Sequence, residues 1–381
     1  MQYVIFDKKD KGRLVSRFGL GCMRLPKTKR RDGTEIIDEK ESIRMIRHAI
    51  DSGVNYIDTA YIYPGSEEVV GKALADGYRQ KVWLVTKSPV WEAKNKDDYE
   101  KLFIEQLERL KTDYIDIYLL HCLDGANWKH VKETGGLAFM ESLKKKGKIG
   151  RIGFSFHADH ELFVEIIDAY DWDMCMIQLN ILDENHQAGI KGLRHAASKG
   201  IPVVIMEPLK GGLLGDNAPN EVKSLINGYT EKRSLAEWAF RWLYNLREAT
   251  VIISGVSTMT QLEDNLSIFA DAKPNSMSEQ DMELVLKIKQ IYDNKVRIGC
   301  SGCGYCLPCP AGINIPEVFK IYNDAYVFED PNTGQTVYSM VIADSGHDAS
   351  GCIACGHCEK HCPQELPIIE TLKEAHSVLK A

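Results

Sequence analysis

A chain of 381 residues with 44% hydrophobic and 27% charged residues has the composition of an ordinary globular protein and room for more than one domain. A net charge of −7 and a pI near 5.9 argue against nucleic acid or an anionic membrane as the main partner. No uninterrupted apolar stretch is long enough to span a bilayer, and residues 1–12 carry five charges and no apolar core of a signal peptide, so a cytoplasmic protein is expected.

The predicted elements alternate. Residues 2–6 and 13–16 flank a charged turn with Gly12 and read as a hairpin. Phe18-Gly19-Leu20-Gly21-Cys22 is a short strand ending in a glycine-rich loop. Asp38 stands three residues before Glu41 as a capping box, and Ile43, Ile46, Ala49 and Ile50 follow at helical spacing until Gly53. Strand 54–58 precedes helix 66–76, strand 82–87 helix 97–110, and strand 115–120 a helix near 135–146. Strand 150–155 precedes helix 159–170, strand 175–179 helix 187–199, strand 202–206 a helix near 234–246, and strand 250–253 helix 258–268. Eight strand–helix units over about 250 residues, with strands that read as short apolar runs, predict an α/β fold of the (β/α)8 barrel type. No G-x-G-x-x-G follows the first strand, which lowers the open-sheet alternative.

In such a barrel the C-terminal strand ends open on one face. Asp58, Lys87 and His121 then converge there, Tyr63 joins from the loop after Asp58, and later strands deliver Ser155, Gln178 and Glu207. A phenol is a weak acid, with an ordinary pKa of about 10. An ammonium beside it stabilises the phenolate, so Lys87, held charged by Asp58, is expected to lower the Tyr63 value. His121 can hydrogen-bond a carbonyl oxygen. Proton donation from a phenol to that oxygen, paired with hydride delivery to carbon, is carbonyl reduction. None of the four is a hydride source, so a cofactor must supply it.

Asn55-Tyr56-Ile57-Asp58-Thr59-Ala60 with Tyr63, Val85-Thr86-Lys87 and Leu119-Leu120-His121 resemble the aldo-keto reductases, whose barrel carries an Asp-Tyr-Lys-His tetrad. The resemblance runs on through Gly153-Phe154-Ser155, Gln178, Glu207-Pro208-Leu209-Lys210-Gly211-Gly212 and Gln261-Leu262-Glu263-Asp264-Asn265-Leu266. It implies that Tyr63 is the general acid/base, that Lys87 and Asp58 tune it, and that His121 orients substrate. It further implies NADP or NAD as cofactor, with Ser155 and Gln178 on the nicotinamide carboxamide and further contacts at Glu207, Leu209, Gly255, Ser257, Gln261 and Asn265. The chain departs from the family in three places. Phe156, then His157, follows Ser155 where Asn is usual; Met206 replaces the stacking aromatic; and no Lys or Arg clamp for a 2′-phosphate is evident near Gly255. Trp91 and Trp128 stand in loops where they either wall a substrate pocket or pack.

From Pro274 the pattern changes, with Ser278 and Glu279 opening a helix to about Ile291 that is read with the barrel. Of eleven cysteines only Cys22, Cys122 and Cys175 precede position 300. The others form Cys300-x2-Cys303-x2-Cys306-x2-Cys309-Pro310 and Cys352-x2-Cys355-x2-Cys358-x3-Cys362-Pro363. In a reducing compartment this reads as metal binding, and the second run matches the bacterial ferredoxin pattern. Cys300, Cys303, Cys306 and Cys362 are assigned to one [4Fe-4S] cluster, and Cys352, Cys355, Cys358 and Cys309 to the other. The competing reading is a pair of four-cysteine zinc sites, although zinc typically uses two separated C-x2-C pairs. Pro316 opens a helical stretch between the motifs with Val318, Phe319, Tyr322, Ala325 and Tyr326.

The expected organisation is a barrel over 1–296 and a small, mostly helical two-cluster ferredoxin-like domain over 297–381. The expected function is an NAD(P)H-dependent oxidoreductase of a small carbonyl or alcohol, with a ferredoxin or other redox protein as partner. Two alternatives stand beside it. One is a ferredoxin-linked reductase with another redox group in the barrel mouth; the other is an electron-transfer or redox-sensing module with the barrel as scaffold.

Overall fold

The computed structural model describes every residue except 7–12, 31–32, 213, 216–217, 301–305, 343–347, 363–365 and 381. The charged turn at Gly12, Cys303 and Pro363 therefore lie outside the described residues. Two compact units are present: Met1–Gly212 with Ala236–Glu279, and Leu213–Leu235 with Gln280–Ala381. Residues 280–296, grouped with the barrel on sequence, are gathered here with the second unit.

In the first unit β1 (Tyr3–Ile5) and β2 (Leu14–Ser16) form an antiparallel hairpin. The first barrel strand is β3 (Phe18–Gly21), and a second small hairpin, β4 (Lys27–Lys29) with β5 (Glu35–Ile37), leads to α1 (Glu39–Asp51). Asp38 caps α1 by accepting from the Glu41 N–H at 3.0 Å, one half of the predicted capping box; the Asp38 N–H goes to the Pro26 carbonyl at 2.8 Å, and the Glu41 carboxylate pairs with Arg44 instead. There follow β6 (Tyr56–Asp58), α2 (Ser66–Ala73), β7 (Trp83–Ser88), α3 (Lys96–Leu110), β8 (Ile115–Leu123), α4 (Gly125–Thr134), α5 (Gly136–Lys145) and β9 (Ile149–Phe156). The circuit continues with α6 (His160–Ala169), β10 (Met174–Gln178), α7 (Gly189–Ser198) and β11 (Val203–Met206), and after α8 (Asn220–Gly228) of the second unit it ends with α9 (Leu235–Asn245), β12 (Ala249–Gly255) and α10 (Met259–Ile268). The strands β3 and β6 to β12 pair in chain order, all parallel, and β12 closes on β3 with Ile252 opposite Phe18. This is the eight-stranded α/β barrel the apolar runs predict.

Side chains fill the interior. Tyr56, Trp83, Val85, Ile117, Leu119, Met174, Met176, Val204, Val251 and Ile253 make the core, and Phe6 and Val15 from the hairpin region join it. Arg13 stacks on the Trp83 ring at 4.1 Å and pairs with Asp116 at 2.5 Å, a buried carboxylate also paired with Arg79. Outside, α2 lies directly on the end of α3: a Cβ at Gly71 would sit 2.5 Å from the Arg109 carbonyl oxygen, so only glycine fits.

Several boundaries differ from the sequence reading. Helix α2 stops at Ala73, short of 76, because Asp76 and Gly77 take left-handed backbone conformations. His121 does not close its strand, which runs on to Leu123. Helix α4 was not foreseen; it buries only Trp128 and Val131, too little for an apolar stripe, although Asp124 caps it.

The second unit contains α8, α11 (Glu279–Asp293), α12 (Ile315–Val327), α13 (Pro331–Val341), α14 (His357–Lys360) and α15 (Ile368–Leu379). Val318, Phe319, Tyr322, Ala325, Tyr338, Leu372, Ala375 and Leu379 form its core, into which Cys306 and Cys358 are also buried. Asn323 of α12 clamps the segment entering the first cysteine motif, accepting from the Arg297 and Ile298 N–H groups at 2.8 and 3.1 Å and donating to the Ile298 carbonyl at 2.9 Å.

Candidate active site and cysteine-lined cavity

Strands β6 and β7 are neighbours, with Asp58 opposite Val85, so Asp58 and Lys87 project at the same end of the barrel. The Lys87 ammonium donates to Asp58 Oδ1 at 2.6 Å and to the Thr59 carbonyl at 2.7 Å, and both charged side chains are almost wholly buried. A tight turn places Tyr63: its N–H reaches the Ala60 carbonyl at 3.1 Å, and its own carbonyl accepts from Ser66 at 3.0 Å. The ammonium of Lys87 stands 5.1 Å from the Tyr63 ring centroid and interacts with the hydroxyl. His121 meets Tyr63 edge-on, with ring centroids 6.1 Å apart. The four tetrad candidates are thus brought together.

Their electrostatics correct one expectation. Burial works against the Lys87 ammonium, but Asp58 and Tyr63 outweigh it and lift Lys87 above its ordinary value. Burial pushes the Asp58 carboxyl up, and Lys87 pulls it part of the way back. For Tyr63 burial also dominates: the phenol is raised, not lowered, with Lys87 drawing it down and Asp58 and Glu207 adding to the rise. Burial, with Lys87 and His157 behind it, pushes His121 down to about 2, so the imidazole is neutral at physiological pH and its Nδ1 is without a partner among the described residues.

The tryptophans part company. Trp91 is 38% exposed with its ring 5.6 Å from His121, beside the tetrad. Trp128 is buried, donates to Glu165 at 3.1 Å and packs on Trp172; it is a packing residue.

Ser155, the penultimate residue of β9, and Gln178, the last of β10, stand on adjacent strands. The Ser155 hydroxyl accepts from the Cys122 N–H at 2.8 Å, which leaves its proton to donate. The Gln178 amide makes one long bond, to the His186 carbonyl at 3.3 Å. These two buried groups fit a carboxamide, which offers one acceptor and two donors. Phe156 is turned away, its ring 5.1 Å from Phe163 of α6, so no amide takes the place of the usual Asn, and Met206 is half-buried. Beyond β11, Glu207 is exposed in a left-handed conformation, and its carbonyl accepts from Lys210; the Leu209 carbonyl accepts from Gly212. Ser257 donates its N–H to Gln261 Oε1 at 2.9 Å and its hydroxyl to the Arg24 carbonyl at 2.9 Å, and Thr258 caps α10. Asn265 is buried against Ser254.

Arg24 is the residue the sequence reading missed here. It follows the end of β3, its guanidinium is exposed and donates to the Gly211 carbonyl, and its side chain lines Gly255. An exposed cation next to the N-terminus of α10 fits the anionic end of a dinucleotide. The signal was its place just after a barrel strand.

In the second unit, Cys306 and Cys309 from the first motif and Cys352, Cys355 and Cys358 from the second line one small cavity, with Pro310, Ala311, Ile315, Ile369 and Leu372 as its apolar wall. Cys306 and Cys309 thus both stand with the second trio. Cys300 and Cys362 pack against the same core outside that lining, and Cys303 is outside the described residues. Thiols set in apolar walls suit an iron–sulfur cluster, whose ligands are soft and whose potential depends on burial.

Residues 17–285 match the model of the aldo/keto reductase family, and residues 299–366 match that of the 4Fe-4S dicluster domain. The chain is similar to an oxidoreductase of Bacillus subtilis, YqkF, at 28% identity over 71% of this chain and 91% of that protein. It is also similar to the methylglyoxal reductase YeaE of Escherichia coli, at 28% identity over 62% and 81%. The aldo-keto reductase AKR11C1 from Bacillus halodurans, in its holo form, superposes with a TM-score of 0.62 at 26% identity, covering 76% of this chain and 96% of its own. A family model spanning most of the chain, and a barrel that carries Asp58, Tyr63, Lys87 and His121 at one mouth, leave one conclusion: the chain is an oxidoreductase of the aldo/keto reductase family with a C-terminal 4Fe-4S dicluster domain.

Proposed function

We propose that this enzyme interconverts a small carbonyl compound and its alcohol with NADPH or NADH, with Tyr63 as general acid/base. We propose further that two [4Fe-4S] clusters exchange single electrons with a ferredoxin or another redox protein. The observation that carries the reading is the Lys87 ammonium, fixed by Asp58 and the Thr59 carbonyl and facing the Tyr63 phenol. Ser155 and Gln178 would hold a nicotinamide carboxamide, and Arg24, Gly255, Ser257, Gln261 and Asn265 the phosphate and adenosine end. A bound nicotinamide supplies hydride. Neutral His121 donates a hydrogen bond to the substrate oxygen and Trp91 covers the substrate's apolar side. Tyr63 releases its proton to the oxygen as negative charge develops there, and Lys87 stabilises the phenolate left behind. For the clusters, Cys300, Cys303, Cys306 and Cys362 form one ligand set and Cys309, Cys352, Cys355 and Cys358 the other; the apolar cavity that Cys306 and Cys309 share with Cys352, Cys355 and Cys358 supports cluster binding. The test is turnover: anaerobically purified enzyme should consume NADPH with a panel of small aldehydes and ketones. No consumption with any of them, or equal consumption by Tyr63→Phe, overturns the reading.

A further inference from the structure

Behind Lys87, away from the barrel mouth, lies a sealed polar network that the reaction itself does not use. Glu67, in the first turn of α2, is 1% exposed. Its Oε1 accepts from the Thr86 hydroxyl at 2.6 Å and from Gln106 Nε2 at 2.7 Å, while Oε2 lies 3.3 Å from Arg109 Nη1. Gln106 of α3 is fully buried, and its amide can sit only one way: Oε1 accepts from the Tyr118 hydroxyl of β8 at 2.6 Å, so Nε2 must point at Glu67, at Thr86 and, at 3.2 Å, at the backbone carbonyl of Lys87. The residue beside Glu67 ties the other side of the site. The Ser66 hydroxyl donates to the Cys22 carbonyl at 2.8 Å and pairs with Thr59 Oγ1 at 2.8 Å, and Thr59 is the residue whose carbonyl receives the Lys87 ammonium. The first turn of α2 thus reaches Lys87 from both ends, Glu67 through Gln106 of α3, which donates to the Lys87 carbonyl, and Ser66 through the hydroxyl of Thr59, whose carbonyl accepts from the ammonium.

A buried carboxylate is costly unless paired and hydrogen-bonded. Packing alone would be served as well by an apolar side chain, so this network needs another account. We propose that Glu67 and Gln106 are positioning residues for Lys87: they fix the end of β7 so that the ammonium stays seated against the Tyr63 phenol. The proposal rests on the reading of Lys87 and Tyr63 given above. Burial pushes the Glu67 carboxyl above its ordinary value, and Thr86, Gln106 and Arg109 draw it back part of the way. The charged groups around this network are Arg109, itself paired with Glu105 and Glu68, while those facing Tyr63 are Lys87, Asp58 and Glu207, with neutral His121 at its edge.

The test reads Tyr63 directly. In holoenzyme labelled with [13Cζ]tyrosine, the Tyr63 resonance is identified by its loss in Tyr63→Phe and titrated with pH. Lys87→Met sets the largest upward displacement. Gln106→Met, which keeps the shape and removes the donor, should move the midpoint up by about one pH unit and lower kcat about tenfold with the dinucleotide KM unchanged. Glu67→Ala should do the same, and Glu67→Gln, which restores an acceptor oxygen for Thr86 and Gln106, should recover most of the shift. Arg109→Met removes the ion pair to Glu67 Oε2 but leaves the Gln106 bond to the Lys87 carbonyl; it should lower the melting temperature and move the midpoint much less than Gln106→Met. A Gln106→Met enzyme that loses stability but keeps the wild-type midpoint and turnover overturns the proposal, as does an equal shift in Arg109→Met. If Glu67→Ala does not fold, Gln106→Met and Arg109→Met decide. The titration needs no substrate, so it stands even if no carbonyl compound is turned over, an outcome that removes only the proposed reaction.

Discussion

Tyr63 sits under opposed influences: burial, Asp58 and Glu207 hold its proton on, and Lys87 draws it off. Removing the hydroxyl removes the proposed proton donor to a developing alkoxide. Tyr63→Phe should therefore lower turnover by about 100-fold or more, the usual scale of general acid catalysis, with the melting temperature and dinucleotide affinity nearly unchanged. The pH dependence follows from the same directions. A donor must be protonated, so the proposed carbonyl reduction should be lost as pH rises through the Tyr63 value, which lies above the ordinary phenol value of about 10. His121 is held down to about 2 and cannot titrate near neutrality. The profile of kcat/KM, which reports the free enzyme, should stay flat across the neutral range and fall only on the alkaline side; an inflection between pH 6 and 8 would place an ionising His121 in the mechanism. The four residues were legible because Asp58, Lys87 and His121 each stand at or near the end of an apolar run and Tyr63 follows in a short loop. The sign of the Tyr63 shift was not, because it depends on how deeply the ring is buried, which no local pattern encodes. Nor was the orientation of Phe156, since alternation along β9 puts its ring among Phe154 and Phe163.

The strand–helix rhythm was legible for the reason that makes a parallel barrel stable. Strands buried on both faces read as short apolar runs, and eight of them in chain order admit little besides closure. Elements held by few apolar contacts were not: α4 carries two buried side chains, and β4 with β5 is a surface hairpin of Lys27, Thr28, Lys29 and Glu35 to Ile37. Helix α15 was not foreseen either, although Ile368, Leu372, Ala375 and Leu379 on one face gave a signal for it. Arg24 belongs to this scale, because its meaning comes from the closure of β12 on β3, which carries a residue from the start of the barrel to the loops at its end. Arg24→Met should weaken NADPH binding about tenfold, or ~1.4 kcal/mol. Fluorescence titration with both dinucleotides assigns the contact. Equal losses for NADPH and NADH place Arg24 on the shared diphosphate, a loss confined to NADPH places it on the 2′-phosphate, and no loss for either removes it from the site.

At the scale of the molecule, two kinds of redox chemistry share one chain. Nicotinamide gives up two electrons together as hydride, whereas a cubane normally carries one, so direct exchange between them should be slow unless another group separates the pair. The anaerobic protein should contain about eight iron atoms, from two cubanes of four. Dithionite or a reduced ferredoxin should bleach the cluster absorbance faster than NADPH in a stopped-flow experiment, with Cys355→Ser diminishing the signal. Zinc in place of iron, or rapid bleaching by NADPH alone, would contradict this. The cysteine spacing made the metal chemistry legible, but the cavity that brings Cys306 and Cys309 to Cys352, Cys355 and Cys358 depends on the packing of α12 and α15 behind it.

That shared cavity also bears on how the protein is made. One wall comes from Cys306 and Cys309 and the other from Cys352, Cys355 and Cys358, with 42 residues between the two segments. A ribosome-bound chain that has emerged only as far as Cys309 holds half a cradle, so iron delivered early finds no finished site. Insertion must wait for the last helices, and because the segments close together, maturation should be all-or-none. Native mass spectrometry during iron-limited expression should then show empty and fully loaded chains, with the four-iron form scarce; an abundant four-iron form would mean that the two sites mature separately.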